Sequence, residues 1–264
     1  MIYRQMNARD IPALSELWLS CFEESREAVE LFFKRNLSYT HGYLAGYENR
    51  PVAALYLIDC TLCGKKAHYL CGAATLPEYR GKGIMSALVE FALSDAKLRG
   101  DSFSTLMPAD DGLYRFYSRL SYSPNGSAAS VKLSAEQNET AQGKPDIEQL
   151  QTTCYKDNFL LWNKQFVDFA ARYYSCYGTR VLKSRNVLAF CEQDGEHADV
   201  FYAVYNDIKE LKALLFQNGV RQFRLIGGAE NPLFQNAEPF RCGMIRALNN
   251  APLPNHFYIG ITLS

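Results

Sequence analysis

Tyr69-Leu-Cys-Gly-Ala-Ala-Thr-Leu-Pro-Glu-Tyr-Arg-Gly-Lys-Gly-Ile-Met-Ser-Ala-Leu88 is the stretch on which the reading of this chain turns. Its first half reads as a strand. Leu76-Pro77 breaks that strand, and Ile84, Leu88, Phe91 and Ala92 then fall on one apolar stripe of a helix that Gly100 stops. Arg80-Gly-Lys-Gly83 therefore sits between a strand and a helix N-terminus, where several backbone N–H groups have no intrahelical partner and the dipole favours negative charge. Two glycines let a ligand approach the backbone, and Arg80 and Lys82 add positive charge. The stretch predicts a site for a phosphate-bearing ligand.

Two familiar phosphate cradles fit poorly. A Walker A loop needs Gly-x4-Gly-Lys-Ser/Thr, a spacing that does not occur here. A dinucleotide fingerprint needs a third glycine, but that position is Ser86. Its partner acid belongs at the end of the next strand, whereas Asp101 precedes the strand starting at Phe103.

Working outward, Ile2–Met6 reads as a strand and Asn7 or Asp10 as the cap of the helix that follows. A second helix is expected over 25–36. Tyr39–Tyr47, Val52–Thr61 and Lys65–Thr75 read as an antiparallel meander broken by Pro51 and Gly64. After the motif helix come a strand at Phe103–Met107 and a helix over 109–120, and Ala129–Leu133 is expected to pair with the Tyr122 region across Pro124-Asn-Gly126. Residues 134–145 have almost no apolar content and read as a linker. Beyond them a helix around 166–177, strands near 179–184, 187–193 and 198–205, a helix capped by Asn206 and an extended Arg221–Ile226 repeat the earlier order. This predicts a degenerate structural repeat, with domains over 1–135 and 146–264 joined by a linker over 136–145. The fold class is α+β, a mixed and mostly antiparallel sheet flanked by helices, followed by a second, smaller α/β domain.

Composition removes whole classes of function. The 264-residue chain is 48% hydrophobic, with 28 Lys plus Arg against 28 Asp plus Glu, which fits a folded protein and disfavours a polyanion binder. Splitting it at residue 140 exposes no basic half, with 15 basic against 16 acidic residues before and 13 against 12 after. We expect no nucleic-acid partner and no membrane partner. A cytoplasmic location is expected, since the N-terminus lacks the apolar core of an export signal. The eight cysteines then read as reduced thiols. Cys60, Cys63, His68 and Cys71 have roughly zinc-knuckle spacing, but a strand over 65–75 puts His68 and Cys71 on opposite faces, so no metal is expected.

Residues 1–133 resemble the GNAT acetyltransferase superfamily. The signature Val-x-Pro-x-x-Arg-Gly-x-Gly corresponds to Thr75-Leu-Pro-Glu-Tyr-Arg-Gly-Lys-Gly83, with Thr for Val. A second landmark, Phe-Tyr-x-Lys/Arg-x-Gly-Phe/Tyr, corresponds to Phe116-Tyr-Ser-Arg-Leu-Ser-Tyr122, with Ser121 for Gly. The two-part organisation is similar to the enhanced-intracellular-survival-type acetyltransferases without their third domain. The resemblance implies a GNAT fold followed by a GNAT-like half without a cradle, and acetyl-CoA as the one cosubstrate, bound once per chain.

It further implies that Ala73, Ala74 and Thr75 hold the pantetheine arm and polarise the thioester. Amides of Arg80, Gly81, Lys82, Gly83, Ile84, Met85 and Ser86 would hold the pyrophosphate. Tyr117 aligns with the family's general acid, with Tyr114 one turn earlier as the alternative. Glu23, Glu24, Glu27 and Glu30 lie where the family admits its acceptor, which suits a cationic small-molecule or peptide amine. In the resembled enzymes the C-terminal carboxylate acts as base, which would make Ser264 catalytic here. The implied activity is N-acetyl transfer, and a non-catalytic acyl-CoA-binding sensor is the alternative. The aromatic-rich second half offers a homo-oligomer interface.

Overall fold

A computed structural model describes residues 1–48, 50–154 and 158–263. They fall into two compact units. One comprises 1–124 with 244–253 and the extreme C-terminus, and the other comprises 125–243 with 254–262.

The first unit opens with β1 (Ile2–Gln5) and a short 3-10 turn, followed by α1 (Ile11–Cys21) and α2 (Arg26–Arg35). Both expected caps act on the 3-10 turn, and Asp10, at the α1 N-cap position, makes no side-chain bond to α1 itself. Asn7 accepts from Arg9 N–H, and Asp10 accepts from Asn7 N–H at 2.8 Å while pairing with Arg4 at 2.7 Å. The meander then appears as β2 (Thr40–Tyr47), β3 (Arg50–Leu62) and β4 (Lys65–Thr75). After a 3-10 turn at Pro77–Tyr79 come α3 (Ile84–Leu98), β5 (Phe103–Leu106) and α4 (Asp111–Ser118). Leu88, Val89, Ala92, Leu93 and Ala96 of α3 bury one helical stripe against Ala53, Leu55 and Leu57 of β3.

The second unit contains β6 (Ser127–Ser134), α5 (Ile147–Cys154), β7 (Leu161–Trp162) and α6 (Lys164–Ser175). It continues with β8 (Arg180–Ser184), β9 (Val187–Asp194), β10 (His197–Tyr205), α7 (Ile208–Gln217), β11 (Gln222–Gly228) and β12 (Phe240–Arg241). A last strand, β13 (Met244–Ala247), belongs to the first unit. The first sheet runs β1-β2-β3-β4-β5-β13 and the second β12-β6-β11-β10-β9-β8. The expected repeat is visible strand for strand. In each unit three antiparallel strands lead through a helix to a fourth strand, and that strand lies parallel to the third.

Three local expectations are corrected. Ala129–Leu133 does not fold back on the Tyr122 region. It lies within β6, which pairs with β11, while Ser123 bridges Ile245 and β13 takes the free edge of β5. Met244 and Ile245 are fully buried there, a pairing that local pattern cannot reveal because its two strands stand more than a hundred residues apart. The compact units accordingly divide after Pro124, with residues 135–146 running along the second unit, where Arg185 N–H donates to Ala141 O and Lys212 pairs with Glu136. Finally, α7 is capped by Asp207 and not by Asn206, because Asp207 holds the extended backbone that lets its carboxylate accept from Lys209 N–H at 2.9 Å.

A polar cluster pins the end of the first sheet opposite the motif. His68 Nδ1 meets Asp101 at 2.7 Å with both side chains fully buried, and Arg99 and Lys66 each lie 3.3 Å from the same carboxylate. Burial would raise the Asp101 carboxyl, but the His68 hydrogen bond and the neighbouring cations outweigh it and hold it below its ordinary value. Burial lowers His68 despite that bond.

Candidate active site

The β4–β5 ladder covers only Ala67–Tyr69 against Phe103–Thr105, although β4 runs on to Thr75. Along this stretch the register against β3 shifts, so that Leu55 faces both Gly72 and Ala73. Gly72 takes φ +58°, and an added Cβ would fall 2.8 Å from the Trp18 ring and 2.9 Å from the Tyr56 ring. Only glycine serves there. Past this bulge Leu76 N–H donates to Val52 O at 3.0 Å, which makes Ala53 and Thr75 a non-hydrogen-bonded pair and turns the polar backbone of Thr75 away from β3. Beyond Tyr69 the strand thus offers an edge that an extended ligand can join.

That edge leads directly to the N-terminus of α3. Gly83, at φ +74°, is the N-cap; its carbonyl accepts from Ala87 N–H at 3.1 Å, and it has no side chain to cap the helix. The N–H groups of Ile84, Met85 and Ser86 therefore have no intrahelical partner. Gly81 and Gly83 stand in open space, where a side chain would meet nothing within 4 Å of its Cβ. Arg80 is exposed and turns its Nε back to Thr75 O at 2.9 Å. The expected residues divide by role. Thr75, Gly81, Lys82, Gly83, Met85 and Ser86 border the edge and the helix terminus. Ala74 instead pairs with Ala54 and is buried, and the Ile84 side chain joins the core, so these two contribute backbone at most.

Tyr117 and Tyr114 both lie on the buried side of α4. Tyr117 packs edge-on to Tyr122 with ring centroids 5.6 Å apart, and the Cys71 thiol, next to the Gly72 bulge, is its electrostatic neighbour. Burial keeps its phenol protonated well past its ordinary range. Ser121, the substitute for the family's glycine, adopts φ +61°. Glu23 and Glu27 are exposed at the turn into α2 and Glu24 is partly buried, while Arg26 pairs with Glu16 at 2.8 Å. Ser264 lies outside the described residues.

Sequence reasoning passed over the α1 side of this edge. Cys21 Sγ lies 3.5 Å from Thr75 O, and Trp18 covers Gly72 within a cluster with Phe32, Phe33 and Tyr56. Among the described residues, the buried Trp18 Nε1 and Tyr56 Oη have no hydrogen-bond partner. The available signal was the spacing of Trp18 and Cys21, one helical turn apart.

The second unit shows what the first would look like closed. Its parallel ladder, which ends with Val200 against Leu225, also stops early, at a bulge between Val200 and Tyr202. There, however, the chain fills its own gap. Tyr258 Oη reaches Phe201 O at 3.4 Å, and Gly260 lies against Phe159 and Tyr202. The Asp207 carboxylate already occupies the α7 terminus, so a phosphate would meet a fixed negative charge.

Residues 2–124 match the family described as Acetyltransferase (GNAT) domain. No curated protein matches the chain. Among solved structures, a conserved protein of unknown function from Enterococcus faecalis V583 is similar with TM-score 0.74 at 16% identity, covering 93% of this chain and 72% of that one. A GCN5-related N-acetyltransferase from Anabaena variabilis ATCC 29413 gives TM-score 0.69 at 15% identity over 94% and 73% of the two chains. Eis1 from Mycobacterium abscessus gives 0.69 at 13% identity over 94% and 74%. At these identities the likenesses establish the fold, and they extend it through both units. The match to the acetyltransferase (GNAT) domain family over residues 2–124 coincides with the open β4 edge and the uncapped glycine-rich helix terminus, so the part of the chain that is similar to that family is the part that carries the candidate site.

Proposed function

We propose that the protein transfers an acetyl group from acetyl-CoA to a primary amine. The observation that carries this reading is the continuity of the free β4 edge with the uncapped α3 terminus, which matches an amide-bearing arm that ends in a pyrophosphate. The arm would pair with Ala73 and Thr75 as an added strand, after Arg80 Nε and Cys21 release the Thr75 carbonyl. A backbone N–H at the bulge would face the thioester oxygen, where a donor of this kind contributes about 3–4 kcal/mol to the developing oxyanion.

The amine nitrogen attacks the thioester carbon, the C–S bond breaks, and N-acetyl product and CoA thiol leave. The ammonium proton lost by nitrogen balances the proton gained by sulfur. Because burial holds the Tyr117 phenol above its ordinary range, full proton transfer from it to a thiolate runs uphill. Tyr117 accordingly acts as a hydrogen-bond donor to the departing sulfur. Glu23, Glu24 and Glu27, in the turn into α2 that follows Cys21, would favour a cationic acceptor. With Asp207 and the segment around Tyr258 closing the second unit, one acetyl-CoA binds per chain.

The test follows thiol release from acetyl-CoA across a panel of primary amines, with Tyr117→Phe alongside. Turnover that falls by roughly 10²-fold or more in the variant, at unchanged acetyl-CoA affinity, supports the reading. Tight acetyl-CoA binding without turnover on any amine, thiol or water acceptor makes the protein a sensor and refutes catalysis.

A further inference from the structure

We propose that Arg50 and Lys82, gathered on the ring of Tyr79, form a second phosphate subsite that selects the 3′-phosphate of coenzyme A. The inference rests on the acyl-CoA reading of the α3 terminus and adds a recognition element to it.

Strand register places the subsite. Ala53 pairs with Thr75, the last residue of β4, whereas β3 begins three residues earlier, at Arg50. At roughly 3.3 Å per residue, β3 overhangs the end of β4 by about 10 Å and carries Arg50 out beside the loop that opens α3. Tyr47, its cross-strand partner, comes with it. At that point Arg50 Nη2 donates to Tyr79 Oη at 3.2 Å with its guanidinium carbon 5.9 Å from the ring centroid. Lys82 Nζ stands 5.2 Å from the same centroid, and the Tyr47 ring is 6.0 Å away. Two cations from separate segments are thus anchored on one aromatic face region by cation–π contact.

Charge explains why they are needed. Three free amides and a helix dipole of about half a charge suit the pyrophosphate. A phosphomonoester adds about −1.5 to −2 charges that this terminus leaves unmatched. Arg80, which gives up Thr75 O when the arm pairs there, stands at the end of β4, whereas Arg50 and Lys82 stand together on the Tyr79 ring as a separate pair of cations. Glu78, 4.0 Å from Arg50, and Glu48, whose charge Arg50 also feels, are competing anions, but the Arg50–Glu78 pair is largely exposed and a phosphate dianion displaces it readily. An arginine fork suits a terminal phosphate, which it can hold through two hydrogen bonds.

Isothermal titration with CoA and with 3′-dephospho-CoA tests this on the full-length protein, Arg50→Ala, Arg50→Lys and Lys82→Ala, with melting curves to confirm that each variant folds. The wild type should bind CoA at least roughly tenfold more tightly than the dephospho form. Arg50→Ala should bring that ratio close to one by weakening CoA alone, Lys82→Ala should narrow it, and Arg50→Lys should restore part of it. Equal binding of both ligands by the wild type, or a proportional loss of both in Arg50→Ala, overturns the subsite while leaving the acyl-CoA reading intact. Binding of neither ligand overturns that reading, and the subsite with it.

Discussion

Replacing Gly72 by alanine should separate the two demands that the β4 bulge makes on its backbone. Gly72 sits at φ +58°, where an L-residue costs about 1–2 kcal/mol. Its new Cβ would also lie 2.8–2.9 Å from the Trp18 and Tyr56 rings, neither of which is the far end of a flexible chain. Forcing those rings apart in a packed core costs about 1–3 kcal/mol more. The control is Gly64→Ala in the β3–β4 turn, where φ is +66° but nothing lies within 4 Å of the added methyl group. It carries the backbone cost alone. Urea denaturation should therefore show Gly72→Ala destabilised by about 2–5 kcal/mol and Gly64→Ala by about 1–2. In thermal melts the excess should lower the transition by several degrees, at roughly 2–4 °C per kcal/mol for a chain of this size. If the two variants agree within about 0.5 kcal/mol, the contact of Trp18 and Tyr56 with the bulge is not as described.

Further consequences concern pH and turn chemistry. Because folding lowers both His68 and Asp101, the unfolded chain takes up protons first, so stability is complete above the ordinary histidine value of 6.5 and declines as pH falls below it. The Asp101 contribution disappears only below its ordinary value of 3.8. Urea midpoints between pH 7.5 and 5 should fall in the wild type and flatten in His68→Gln; an equal slope in both would show that His68 is not the group responsible. Ser121→Gly should stabilise by about 0.5–1 kcal/mol, because the left-handed backbone at φ +61° costs serine more than glycine. A lower melting temperature would contradict that.

Legibility in the sequence followed the range of the interactions. The meander over 40–75 was readable because Pro51 and Gly64 mark its turns and its pairing is between neighbours. The α3 terminus was readable because glycine spacing and the apolar stripe of the helix are local. Where β6 and β13 pair was not, since each completes a sheet with a strand far away in the chain. The place of Arg80–Ser86 between β4 and α3 is legible from the motif, while the Trp18–Cys21 face of α1 and the overhang of Arg50 depend on register and packing that no spacing rule encodes. The His68–Asp101 pair was likewise hidden, joining β4 to the start of β5 through two buried side chains.

The most direct test of the central claim is calorimetric titration of the protein with acetyl-CoA, with NADH as a control, repeated on Gly83→Glu. The substitution places a carboxylate at the uncapped terminus of α3, in open space. Micromolar binding of acetyl-CoA at one site per chain, absent for NADH and weakened at least roughly 100-fold in the variant, is the predicted result. Undiminished binding in Gly83→Glu, or no binding of acetyl-CoA to the wild type, would contradict it.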